Sequence, residues 1–131
     1  VIDAALRTLV RRRAAERCEY CLLRAEDLPS VTFNLEHIVA RQHKGSDHPE
    51  NLALACDRCN LYKGPNLTAI DPTSRQVVLL FNPRQQQWAE HFQVVDYRIV
   101  GLTPVGRATA QLLHMNATTR VQLRKDIEEN R

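Results

Sequence analysis

Four cysteines constrain this chain more than any other feature. Cys18-Glu19-Tyr20-Cys21 and Cys56-Asp57-Arg58-Cys59 form two CxxC pairs that use every cysteine in the sequence. A CxxC turn aims both sulfurs at one point, and two such turns complete a tetrahedron, the donor set of a structural Zn²⁺ site. Two rival readings exist. Disulfides need an oxidising compartment, yet Val1 leads into Asp3 and then a run of arginines rather than the apolar core of a signal peptide. A redox dithiol would need one pair in a thioredoxin-like strand pattern, not two. The expectation is therefore a structural zinc held by Cys18, Cys21, Cys56 and Cys59, tying residues 18–21 to 56–59 and contributing folding free energy outright.

The 131 residues amount to a single domain, 1–131, with 44% hydrophobic and 25% charged side chains. No apolar run approaches the roughly 20 residues that span a bilayer, so a soluble, cytoplasmic chain with no membrane partner is expected. Aromatic residues make up only 5%. The core must then rest on Leu, Val, Ile and Ala, and a metal would help to close it. The formal charge of +3 says less than its distribution. Arg7, Arg11, Arg12, Arg13, Arg17 and Arg24 face only Glu16 and Glu19, whereas Asp126, Glu128 and Glu129 collect near the end. Arg11, Arg12 and Arg13 are candidate phosphate contacts, with a solvated helix face as the equal alternative.

Periodicity places these features on elements. Residues 3–17 read as a helix capped by Asp3, with Leu6, Leu9 and Val10 as its buried stripe. Residues 31–35 alternate as a strand, a polar loop runs from Arg41 to Glu50, and residues 52–55 form a second strand feeding the second knuckle. Cys59 to Lys63 opens a short helix stopped by Gly64-Pro65. Further on, residues 77–81 read as a buried strand, Trp88 and Phe92 as packing residues, and residues 97–100 as another strand. Thr103-Pro104 starts a helix carrying Leu112, Leu113 and Met115. A last helix opens at residues 116–119, with Val121, Leu123 and Ile127 inward and Arg120, Arg124 and Lys125 toward solvent.

Between the knuckles stand Glu36-His37-Ile38, Glu50-Asn51-Leu52 and Cys59-Asn60-Leu61-Tyr62-Lys63-Gly64. Together with the cysteines, this string resembles the HNH endonucleases of the ββα-metal fold. The resemblance covers residues 18–64, leaving 65–131 as a C-terminal extension that looks like small stand-alone bacterial members. It implies an α+β fold: a ββα-metal core with the two-CxxC zinc, flanked by an N-terminal helix and C-terminal strands and helices. It also implies metal-dependent hydrolysis of a DNA phosphodiester, with the ββα element in the minor groove and 5′-phosphate and 3′-hydroxyl ends as products.

Phosphodiester hydrolysis needs a base for the attacking water and a cation for the developing charge. His37 is the natural base, because imidazole titrates near neutral pH. Glu36 and Asn60 offer oxygen ligands to a catalytic ion, and Asn51 holds the base or its loop by hydrogen bonds. Lys63 is a candidate phosphate contact. Adjacent strand residues point to opposite faces, so Glu36 and His37 share a site only if the strand ends or bends there. Asn60 stands where the family commonly has histidine, and an amide oxygen favours Mg²⁺ or Mn²⁺ over softer ions. His43 and His48 read as solvated loop residues, His91 and His114 as core-edge or surface residues, and Tyr62 as packing. Double-stranded DNA is the expected partner, and a homodimer is one route to cutting both strands. The alternative from another class is a non-catalytic zinc module that binds nucleic acid, and a third is a structural zinc protein that binds protein partners.

Overall fold

A computed structural model describes residues 2–131. Asp3 accepts the amide of Leu6 at 2.9 Å and so caps α1, Ala4–Arg13. The helix is four residues shorter than periodicity predicts, because Ala15 and Glu16 adopt left-handed backbone angles that no helix continues through. Val10 is fully buried and Leu6 partly so, but Leu9 is 46% exposed and does not belong to the stripe. Arg11, Arg12 and Arg13 occupy the last turn, where cations complement the helix dipole.

The chain then makes the first knuckle and enters β1, Phe33–His37, which pairs antiparallel with β2, Leu52–Cys56. The register sets Phe33 opposite Cys56 and His37 opposite Leu52. The first strand is thus displaced two residues toward the C-terminus from its expected position, and it runs through Glu36 and His37 without ending. Every residue of β2 is buried. Its outer flank is covered by the first knuckle, where Glu19 N donates to Leu54 O at 2.8 Å and Leu54 N donates to the Glu19 carboxylate at 2.8 Å. α2, Asp57–Lys63, follows directly, capped by the Cys56 sulfur and closed at Gly64. This is the β-β-α order expected of residues 18–64.

The C-terminal extension adds two small hairpins and three helices: β3 Thr68–Ile70 with β4 Val77–Leu79, α3 Trp88–His91, β5 Phe92–Val95 with β6 Arg98–Gly101, α4 Pro104–Leu112 and α5 Thr118–Glu129. The strand expected to be buried at 77–81 is corrected here. Val77 and Leu79 are 67% and 68% exposed, and only Leu80 and Phe81 turn inward, because a two-stranded ribbon covers one face alone. Phe81 meets Tyr20 and Phe92 edge-on, and Trp88 stacks on Phe92 at 5.0 Å between ring centroids. Four of the seven aromatic rings therefore gather where the extension meets the first knuckle. Thr103 caps α4 as expected, accepting from Gly106 N at 3.1 Å. Gly106 is there because β6 and α3 crowd it: a Cβ would stand 2.0 Å from the His91 carbonyl oxygen.

Candidate functional site

The four cysteine sulfurs lie within 4.8 Å of one another and all four residues are buried. None is disulfide-bonded. Cys21 and Cys56 Sγ atoms are 3.8 Å apart, which matches the edge of a tetrahedron built on zinc–sulfur bonds of about 2.3 Å, roughly 3.8 Å. The amides of Cys21 and Cys59 point at the sulfurs of Cys18 and Cys56, each at 3.5 Å, and amides so placed stabilise thiolate over thiol. Leu22, in the left-handed region, turns the first knuckle back so that Cys18 N donates to Leu23 O at 2.9 Å. Geometry, burial and donor chemistry all fit a bound metal. Among the described residues no other group of three or more His, Cys, Asp or Glu side chains meets the same test.

Alternation along β1 sends Glu36 and His37 in different directions. Glu36 is 4% exposed. Its carboxylate accepts from the Tyr20 hydroxyl at 2.6 Å and forms an ion pair with Lys63 Nζ at 2.6 Å. Burial pushes the carboxyl pKa up, while the Lys63 charge and the hydrogen bonds from Lys63 and Tyr20 pull it back. Lys63, one turn along α2 from Asn60, is 2% exposed and donates its best-directed hydrogen bond to Ile38 O at 3.0 Å. Its expected place at a phosphate is corrected: the ammonium is spent inside the fold on Glu36 and on the backbone just after β1. For the same reason Glu36 does not fit the role of ion ligand as arranged, since its lone pairs already face a cation and a hydroxyl. Asn60 is half-buried, and its side chain makes no hydrogen bond among the described residues.

His37 emerges on the other side, with 17% of its side chain exposed. Its Nε2 lies 2.7 Å from Asp47 Oδ1. A carboxylate only accepts, so Nε2–H is the donor, which in a neutral imidazole leaves the lone pair on Nδ1. Arg41 Nη2 donates to the same Oδ1 at 2.9 Å. Asp47 lies on the polar loop that sequence reading left without chemistry. Its signal was the loop's length, enough to fold back onto the end of β1. Asn51 does not bond His37. Its amide donates to Val39 O at 3.0 Å and Ser46 O at 2.8 Å, and its oxygen accepts from Val39 N at 2.9 Å. Asn51 thus cinches the loop at the residue before Asp47, and of the two roles expected for it, base or loop, the contacts select the loop.

The arginines divide. Arg11 pairs with Glu16 at 2.6 Å. Arg13 donates to the carbonyls of Pro49 at 3.0 Å and Leu52 at 2.7 Å, clasping the entrance to β2. Arg12 and Arg13 are both exposed, and of the three arginines Arg12 alone makes no side-chain hydrogen bond or ion pair among the described residues. His43 and His48 are exposed as expected, while His91 Nδ1 meets the Thr103 hydroxyl at 2.6 Å and His114 stacks on Tyr62 at 4.2 Å. Arg120, expected in solvent, is 7% exposed and turned toward Cys56. No helix of the described residues is long and apolar enough to cross a membrane.

Comparison with the curated proteins and with the solved structures returned no match. Comparison with family models did: the model described as HNH endonuclease matches residues 18–66, the stretch that holds both knuckles, β1, β2 and α2. An HNH endonuclease domain therefore spans residues 18–66 of this chain.

Proposed function

We propose that the chain is a DNA endonuclease in which His37 is the general base and the four cysteines hold a structural zinc. The observation that carries this reading is the 2.7 Å contact between His37 and Asp47 at the end of β1, inside the segment that matches the HNH family. Asp47 fixes the imidazole so that Nδ1 can take a proton from water as its oxygen bonds to phosphorus. The P–O3′ bond then breaks, and the leaving oxygen takes a proton from solvent water to end as a 3′-hydroxyl, with the phosphate on the 5′ end. A carboxylate against Nε2 stabilises the imidazolium formed in that step, the role an aspartate plays beside a catalytic histidine elsewhere. Asn51 is a positioning residue that acts through the loop it cinches, and Arg41 sets the Asp47 carboxylate. A divalent ion such as Mg²⁺ or Mn²⁺ supplies charge to the phosphate when bound. Of the ligands expected for it, Asn60 is the one left without a partner, and Glu36 takes its positive charge from Lys63.

The test is nicking of supercoiled plasmid by the purified chain in EDTA, Mg²⁺ and Mn²⁺, with His37→Ala beside it. Nicking that disappears in the variant while DNA affinity persists supports the assignment. Equal nicking by the variant, or none by the native chain under any of the three conditions, would refute it.

A further inference from the structure

α5 is a twelve-residue helix whose one buried residue is an arginine, Arg120. Its apolar residues Leu123 and Ile127 are only partly buried, so hydrophobic burial is a weak reason for it to dock. Arg120 Nη2 lies 4.0 Å from Cys56 Sγ and 3.6 Å from Asp57 Oδ1. Arg124, one turn on, donates to Tyr97 O at 2.9 Å and Met115 O at 2.6 Å, yet its buried Nε has no partner. Two guanidinium groups one turn apart repel each other, and burying them is costly unless an anion lies between.

The cysteine cluster is that anion once a metal binds. Four thiolates and one Zn²⁺ sum to a charge of −2, which two arginines balance. We infer that Arg120 and Arg124 are the charge partners of the zinc tetrathiolate, so that metal binding docks the C-terminal helix on the knuckles. The inference rests on the proposal that the cysteines hold zinc. Arg58 extends the same seam, since it lies over the Tyr62 ring and donates to the Thr119 hydroxyl at 3.3 Å.

The experiment uses the 131-residue chain loaded with zinc and three variants: Arg120→Gln with Arg124→Gln, the corresponding pair of lysines, and Lys125→Gln as control. Lys125 is exposed on the same helix, so its loss changes the charge without touching the sulfurs. Zinc is counted first, then its release to excess chelator is timed, and amide exchange is followed separately in α4 and α5. The glutamine pair is expected to release zinc about 10–100-fold faster, the range for removing groups that support metal ligands. α5 amides should exchange faster while α4 amides hold, with the lysine pair intermediate and the control unchanged. Zinc bound but released at the native rate would overturn the proposal alone. A chain carrying no zinc would overturn it together with the zinc reading. If the glutamine pair fails to fold, Arg124→Gln alone decides, since native zinc release and native α5 exchange there would overturn its part as a charge partner.

Discussion

The Glu36–Lys63 pair permits a prediction worked from its geometry. At 2.6 Å and an effective dielectric constant near 20, the attraction is about 6 kcal/mol. Desolvating two ions costs several kcal/mol each, so the intact pair adds little net stability. Removing one partner is another matter, because the survivor stays buried and charged. Lys63→Met leaves Glu36 with the Tyr20 hydroxyl alone, and Glu36→Gln leaves Lys63 with the Ile38 carbonyl. Each should cost about 3–5 kcal/mol, a fall in Tm of about 4 °C per kcal/mol for a domain of this size. Glu36→Gln with Lys63→Met buries no charge and keeps a Tyr20 acceptor, so it should cost no more than about 2 kcal/mol. The expected coupling is therefore at least about 4 kcal/mol, read from urea unfolding of all four proteins at one fixed zinc concentration. Additive singles of under about 1 kcal/mol each would show a solvated pair and refute the reasoning.

Two further outcomes follow from single carboxylates. Asp47→Asn keeps an oxygen near His37 Nε2 but removes the charge that stabilises imidazolium; kcat should fall by about 100-fold or more. An unchanged kcat would separate Asp47 from the base. Asp71 is held below the ordinary carboxylate range chiefly by hydrogen bonds from Arg107, at 2.9 Å to each oxygen, against the opposing effect of burial, with Ser74 and Thr73 adding to it. Its stabilisation is complete above its unfolded pKa, about 3.9, and is lost as pH falls through the lower folded value. Asp71→Asn should flatten the loss of Tm below about pH 4 relative to the native chain; parallel curves would contradict the assignment.

Local chemistry was legible in the sequence and long-range partners were not. The CxxC turns, the Asp3 and Thr103 caps and the β-β-α order follow from spacing, because each depends on residues a few positions apart. The errors lie where a side chain is claimed from afar. Lys63 looks like a surface lysine at a helix end, and only the pairing of β1 with β2 puts Glu36 and Ile38 within its reach. Arg120 sits on a helix with weak apolar patterning, so nothing nearby tells that it turns inward toward Cys56. Asp47 is ten residues from His37 in a loop without periodicity, and its role appears only when Asn51 cinches that loop. Val77 and Leu79 fail for the opposite reason: an apolar run implies burial, but a lone hairpin has only one covered face.

The polar contacts that reach into the HNH segment from outside explain why it has flanks. Arg13 of α1 holds the carbonyls of Pro49 and Leu52, Arg84 pairs with Glu19, Trp88 Nε1 donates to Tyr20 O at 2.8 Å, and Arg120 approaches Cys56. Each grips a knuckle or the β2 strand beside it. A segment of some fifty residues buries too small a fraction of its surface to hold a polar site rigid, so it needs a staple. A metal held by the four cysteines would supply one, between the two knuckles. It would do nothing for the far end of β1, where His37 emerges, and there the clasp comes from Arg13 and Asn51 at the two sides of the same loop. The two ends of the β1–β2 hairpin thus differ in kind: sulfur and guanidinium gather at one, amide and carbonyl bonds close the other, and the imidazole stands at the end away from the cysteines.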